Sequence, residues 1–416
     1  MFLTKCITLC ATILLCSNHV ISVNVHMNGD IIIGATFHIK NNGESGYTAK
    51  FFKSGIEDLE VFYYAIDKVN TLNLVPGVKF GGHAVDSNDV KMDEAAFTQF
   101  TQIRDAKEET EKPMFLGVID GSRGNYSAII KSKLTMLNIP TLVVPNSPAV
   151  FFDKSEYNMV AKTFTTVFND YNPLIAILKK MNVNKVQVIV SDAKRRKHIL
   201  DFLIQNGIQT EKVHQLKYPQ NDECETVVNE LIAHKSIRTV LLFNQHVDAC
   251  IFDFVNKKQP KNDFQWISDH SIGVMQLSGY ESMVKGLISV NVAPVGIARP
   301  NQLPEFKSIK NYSMTLTPNN NKRNIWFREF FEDQFNCYSG RLNRSETRIR
   351  CGDNIKFQNE RDIFYETILN GVYAFAYAFK NAWLYKCGKT FGICKELREM
   401  NGEQFFNDYL MKVNFT

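Results

Sequence analysis

The segment Asn324–Cys337, NIWFREFFEDQFNC, is followed by Cys351, by the apolar run Leu369–Cys387, LNGVYAFAYAFKNAWLYKC, and by GKTFGIC ending at Cys394. Two short cysteine loops therefore bracket an aromatic-rich helix, a pattern that points to two local disulfides pinning the ends of a buried element. The helix is broken by Asn370, Lys380 and Asn381, so it does not qualify as a membrane span, which needs about 20 apolar residues.

Outward from this stretch, 416 residues are too many for one compact core and predict two lobes. Hydrophobic residues make up 44% and charged residues 22%, an ordinary globular composition that excludes disorder. With 48 basic and 43 acidic residues the net charge is +5, which argues against nucleic acid as a partner. At the N-terminus Lys5 precedes the apolar run Ile7–Leu15, and small residues near Ser17 and Ser22 offer cleavage positions, so 1–22 reads as a signal peptide. Six cysteines then remain: Cys224, Cys250, Cys337, Cys351, Cys387 and Cys394. An even count in an exported chain suits disulfides, and sequons at Asn125, Asn311, Asn343 and Asn414 permit glycosylation. A secreted or extracellular protein with no membrane anchor of its own is expected.

Strand and helix patterns alternate along most of the chain. Strands are expected at Asp30–Phe37, Val78–Val85, Phe115–Asp120 and Thr141–Val144, with helices at Ile56–Val69, near Glu94 and at Ala128–Leu137. A second set has helices Ile175–Met181 and Arg195–Gln205, with strands Val186–Val190, Val240–Phe243, Phe264–Ser268 and Gly286–Val292. Such alternation builds parallel sheets covered by helices on both faces, and ligands of open α/β sheets bind near the carboxyl ends of the strands. The only low-complexity tract is PNNNKRN, Pro318–Asn324.

GDIIIGATF (Gly29–Phe37), LEVFYYAIDKVN (Leu59–Asn70), LVPGVKFGGHAVDS (Leu74–Ser87), GVIDGSRGNYSAIIKSKLTMLNIP (Gly117–Pro140) and the two cysteine loops recur in order and spacing in one family. The chain resembles the ligand-binding ectodomain of metabotropic glutamate receptors, class C G-protein-coupled receptors. The resemblance implies a bilobed α/β Venus flytrap of the periplasmic-binding-protein type, with two doubly wound, mostly parallel sheets and a hinged cleft. The expected lobes are 28–161 and 303–416 for lobe 1, the latter incomplete, and 162–302 for lobe 2. It also implies the pairings Cys337 with Cys351 and Cys387 with Cys394; a short loop closed in this way gains ~2–4 kcal/mol. Cys224 and Cys250 have no counterpart in the family, and either bond to each other or stay as buried thiols. The family's N-terminal disulfide and inter-protomer cysteine have no equivalent, since no cysteine occurs between Cys16 and Cys224. Family members continue beyond the equivalent of Thr416 with a cysteine-rich stalk and seven membrane helices, so a truncated form or a soluble remnant is expected.

Carried over position by position, the resemblance retains Ser147 and Asp269 as ligand contacts, while Ser122-Arg123-Gly124-Asn125 stands at the serine-rich loop and keeps backbone donors. The amine-binding aspartate falls at Val167, the aromatic packing residue at Arg195, the distal-carboxylate arginine at Asp58 and a lysine near Phe364. A glutamate side chain facing Asp58 meets repulsion and desolvation of order several kcal/mol, so the glutamate pocket is expected to be largely lost. Lys194, Arg195, Arg196 and Lys197 open a helix against its dipole. That run is either an anion site completed by Arg123 and Gly124 or a solvated basic turn.

The ligand is expected to be a small molecule, an amino acid or small anion. The helix Ser127–Leu137 either serves a noncovalent homodimer or pairing with a related receptor, or is buried in its lobe, with Lys131 and Lys133 crowding its apolar face. G-protein signalling follows from the resemblance only; the alternative function is a secreted binding protein or decoy without signalling output. No G-x-S-x-G, H-E-x-x-H or G-x-G-x-x-G occurs, so no enzyme, cofactor or metal is expected. His83 beside Asp86 reads as a strand-end polar pair.

Overall fold

The computed structural model describes residues 24–41, 50–87, 89–106, 112–122, 127–144, 156–163, 167–190, 193–216, 221–234, 236–243, 248–258, 263–268, 279–290, 304–340, 348–352, 354–357 and 362–414. The chain divides into two compact units, the first Met1–Phe164 with Val295–Thr416 and the second Thr165–Pro294. The first unit holds a six-stranded sheet in the order β1-β3-β2-β4-β5-β6. Its strands are β1 Asn24–Met27, β2 Ile31–Phe37, β3 Phe80–Asp86, β4 Met114–Gly121, β5 Thr141–Val143 and β6 Val160–Lys162. All pairings are parallel except β1 with β3. All seven residues of β2 are buried, as a central strand covered on both faces requires. Helix α1 (Lys53–Leu72) lies on one face, while α2 (Val90–Asp105) and α3 (Ser127–Met136) cover the other through Ala96, Phe100, Ile130 and Leu134. Gly55 admits α1 to this position, because a Cβ there would overlap the His38 carbonyl oxygen.

The second unit holds a five-stranded, all-parallel sheet in the order β11-β10-β9-β7-β8. In chain order its elements are α4 Val167–Lys180, β7 Lys185–Val190, α5 Ala193–Gln205, β8 Gln209–Gln215, α6 Asn221–Ala233, β9 Thr239–Phe243, α7 Asp248–Lys258, β10 Gln265–Ser268 and β11 Ile288–Ser289. Helix α4 starts two turns earlier than its apolar spacing predicts and carries Pro173 inside it. A disulfide joins Cys224 of α6 to Cys250 of α7 across 26 residues of sequence, and Cys224 is fully buried among Val228, Leu231 and Phe252. Of the predicted strand Gly286–Val292 only Ile288–Ser289 is strand, and 291–292 lie outside the described residues.

The chain returns to the first unit with α8 Pro304–Thr315, α9 Phe327–Gln334, the short parallel pair β12 Cys337–Tyr338 and β13 Ile349–Arg350, and the 26-residue α10 Asp362–Cys387. α10 completes the core with Ile368, Val372, Phe375, Phe379 and Ala382, all fully buried, and Phe80 meets Phe379 edge to face at 5.8 Å. Gly371 brings α10 close to β4, where a Cβ would lie 3.2 Å from Ile119. Removing one such phenylalanine side chain costs ~3–5 kcal/mol. Disulfides join Cys337 to Cys351 and Cys387 to Cys394. Inside the second loop Trp383 donates from Nε1 to the carbonyls of Thr390 at 3.0 Å and Gly392 at 2.9 Å. The PNNNKRN tract docks on α1: Glu60, 3% exposed, accepts from Asn321 at 2.6 Å, Asn324 at 2.7 Å and Tyr312 at 3.2 Å. Arg323 beside it pairs with Asp67 at 3.0 Å and lies over the Tyr63 ring. The remaining turns, α11 Lys395–Arg398, α12 Gly402–Gln404 and a wide turn at Phe405–Tyr409, bury Leu397, Phe405 and Phe406 in the same core.

Candidate functional site

Three neighbouring parallel strands, β3, β2 and β4, end side by side, and polar residues stand at or next to their ends: Asp86 on β3, Thr36 on β2 and Asp120 on β4. Polar groups at the carboxyl ends of a parallel sheet are where ligands of open α/β folds are met. Here they form three buried groups. Asp120 at the end of β4 accepts from Thr36 of β2 at 2.7 Å and from the backbone N–H and the hydroxyl of Ser122, the former at 3.0 Å. Its other oxygen meets the ammonium of Lys131, which reaches down from α3; the two side chains are 1% and 0% exposed. Asp93 of α2 accepts from Ser87 just past β3. Asp86 accepts from the backbone N–H groups of Ile39 at 2.9 Å and Lys40 at 3.3 Å, fixing the exit of β2. The helix that covers this end is itself capped, because the Asp89 carboxylate accepts from Met92 N at 2.8 Å.

Burial dominates the electrostatics. It pushes the Asp86 carboxyl up to about 6, against the two backbone N–H bonds that favour its charged form. It pushes Asp93 up to about 6 as well, helped by the nearby Asp120 charge and opposed by Ser87 and Lys131. Burial likewise lowers Lys131, and the Asp120 carboxylate works the other way. The chemistry of this arrangement is positioning. The Ser122 hydroxyl and the Lys131 amine are both engaged by Asp120, and together they fix the point at which the chain enters 123–126.

α1 begins beside the same strand ends, since Phe52 N bonds the Ile39 carbonyl and the Phe52 ring meets His38 edge to face at 4.1 Å. Its early turns bury Glu57, Asp58 and Glu60, at 1%, 6% and 3% exposure, with Lys53 at 3.9 Å from Glu57. Burial raises Glu60, against the two asparagine amides that hold its charge.

Of the ligand contacts expected from sequence, Arg123, Gly124, Ser147 and Asp269 lie outside the described residues, as do the sequons at Asn125 and Asn343. Arg195 lies in the first turn of α5, with its side chain outside the described set, while Arg196 and Lys197 beside it are exposed. Asn311 is exposed on α8 and Asn414 is exposed past the last turn. His83 and Asp86 do not pair, because residues three apart on a strand face opposite sides; His83 instead meets His26 and Gln99. Lys131 does not crowd an apolar surface. It is buried on the Asp120 ion pair, while Ile130 and Leu134 enter the core and Met136 stays 81% exposed. The Thr36–Asp120–Ser122–Lys131 network went unread in the sequence. Its signals are the break of polarity at the end of GVID and the placing of Lys131 directly after the apolar pair Ile129-Ile130 in the following helix.

Among the described residues no group of three or more His, Cys, Asp or Glu is placed to hold a metal ion, and no helix is long and apolar enough to cross a membrane. The family described as "Receptor family ligand binding region" matches residues 57–416. The chain is 25% identical over 471 residues to the metabotropic glutamate receptor of Drosophila melanogaster, covering 95% of this chain and 47% of that protein. It is 22% identical over 431 residues to metabotropic glutamate receptor 4 of Macaca fascicularis, covering 94% and 46%, and 23% identical over 434 residues to the Mus musculus form. The chain thus spans about half the length of the curated relatives it matches.

Proposed function

Since this chain belongs to the receptor-family ligand-binding regions, we propose that it is an extracellular small-ligand-binding module of the metabotropic glutamate receptor kind whose ligand is not glutamate in the family's pose. The observation that carries the reading is the family match over 57–416, together with two α/β units whose strand order is that of doubly wound sheets. Ser147 and Asp269 are the proposed polar contacts, Arg123, Gly124 and Arg195 the proposed donors to an anionic group, and 28–161, 162–302 and 303–416 the proposed lobe boundaries. Three disulfides support an extracellular location.

The departure from glutamate rests on α1. Asp58 stands at the position that the resemblance gives to an arginine, and it is buried beside a second buried carboxylate, Glu57. Bringing a further carboxylate there costs several kcal/mol, and each 1.4 kcal/mol is tenfold in affinity. Binding rather than catalysis is supported by the state of Ser122 and Lys131, whose hydroxyl and amine are occupied by Asp120. Signalling through a G protein is proposed for a longer protein that contains this module. A partner face is proposed on α3, where Met136 and Leu137 stay exposed.

The test is thermal unfolding of the secreted protein against a panel of amino acids and small anions. A true ligand at 100 times its dissociation constant adds ~2.7 kcal/mol. A shift with any panel member other than L-glutamate is expected. Stabilisation by micromolar L-glutamate overturns the altered pocket, and a panel with no shift at all overturns the small-ligand reading.

A further inference from the structure

β1 is an edge strand of the six-stranded sheet, and its antiparallel register sets His26 directly opposite His83 of β3. Directly opposed residues project from the same face. The two Nδ1 atoms stand 3.1 Å apart, and the rings meet edge to face with centroids 5.3 Å apart. His83 is nearly buried, packed edge to face on Phe100 of α2, whereas His26 is exposed. Gln99 of α2 places its amide oxygen 2.7 Å from Nε2 of His83. An amide oxygen only accepts, so the His83 proton sits on Nε2 and the Nδ1 lone pair points toward His26.

We infer that His26 and His83 form a two-imidazole site for a borderline-soft divalent cation such as Zn2+ or Cu2+, with Gln99 as the residue that fixes the ligating tautomer. Zinc–imidazole bonds of ~2.0–2.1 Å at angles between square and tetrahedral place the two nitrogens about 2.8–3.4 Å apart, a range that brackets the 3.1 Å observed. The same separation suits an N–H···N hydrogen bond in the metal-free protein. The cation takes the place of that shared hydrogen, and the exposed His26 ring moves its proton to Nε2 through solvent. A second hydrogen bond from the far nitrogen to a side-chain oxygen is the usual support for a ligating histidine. Solvent fills the remaining positions on the open His26 side. The site then clips a four-residue edge strand to the sheet.

Two further histidines among the described residues, His214 beside Glu230 at 3.2 Å and His234 beside Glu211 at 3.6 Å, lie in the second unit and serve as an internal control. The experiment is titration of the intact secreted protein with Cu2+, read by calorimetry and by electron paramagnetic resonance. One site with two nitrogen ligands and micromolar affinity is expected. His26→Gln should weaken it at least about tenfold and reduce the nitrogen count. Metal-free melting should fall only slightly, by the loss of one half-exposed hydrogen bond. Gln99→Leu should weaken it about tenfold with both nitrogens retained. Cu2+ binding that is unchanged in His26→Gln, or that is lost only in His214→Gln or His234→Gln, overturns the assignment, as does a wild-type protein that binds no Cu2+.

Discussion

Replacing Lys131 by Met keeps the apolar stem of the side chain and deletes only its charge. Asp120, 1% exposed, would then face only neutral donors, Thr36 at 2.7 Å and the N–H and hydroxyl of Ser122. Breaking a buried ion pair from one side typically costs ~3–5 kcal/mol, because a bare charge is left behind. With roughly 2–4 °C per kcal/mol for domains of a few hundred residues, the first unit should melt about 10 °C lower. The companion variant Lys131→Met with Asp120→Asn removes the bare charge and keeps an oxygen for Thr36 and Ser122. It should recover about 2 kcal/mol, within the usual coupling range for neighbouring groups. Urea unfolding followed by tryptophan fluorescence separates the units, since Trp326 and Trp383 lie in the first and Trp266 in the second. The single variant staying within about 1 kcal/mol of wild type, or strict additivity of the two substitutions, would refute the ion pair as the anchor of this strand end.

Asp86 and Asp93 are both raised from 3.8 to about 6, so each folded form holds its proton more tightly than the unfolded chain does. Their contribution is fully present below pH about 4 and is lost as pH rises through about 6, up to about 3 kcal/mol apiece. Asp86→Asn should flatten the urea midpoint over that window, and a variant with the wild-type slope contradicts the assignment. Replacing Cys224 and Cys250 together by serine opens a 26-residue separation and should cost the second unit about 3 kcal/mol. The Trp266 transition should move while that of Trp326 and Trp383 holds; an unmoved Trp266 transition contradicts it.

The central strands were legible because burial on both faces writes them as unbroken apolar runs: IIIGATF and VQVIV leave little alternative. Edge strands were not legible. NVHM of β1 and QTEKVHQ of β8 have one free side each and carry no unbroken apolar run, so no strand is expected there from sequence. The aromatic helix and its cysteine loops were readable since residue type and spacing alone carry them. Buried polar pairing is different, because a sequence shows a charge without its partner. Lys131 read as crowding an apolar helix face and PNNNKRN as a low-complexity loop, yet Lys131 pairs with Asp120, and Asn321 and Asn324 both serve Glu60, about 260 residues earlier.

The first unit is interrupted in sequence, with the second unit's 165–294 inserted between its halves. Its sheet is synthesised by residue 162, but the helix that covers Phe80 ends at Cys387. At about 5–20 residues per second, ribosomes leave that greasy face bare for on the order of ten to forty seconds. The inserted unit, with its own core and its own staple at Cys224–Cys250, is complete in sequence by residue 294 and is expected to fold first. Assembly of the chain is therefore expected to proceed inside out, with the earliest-made half waiting for the last-made one.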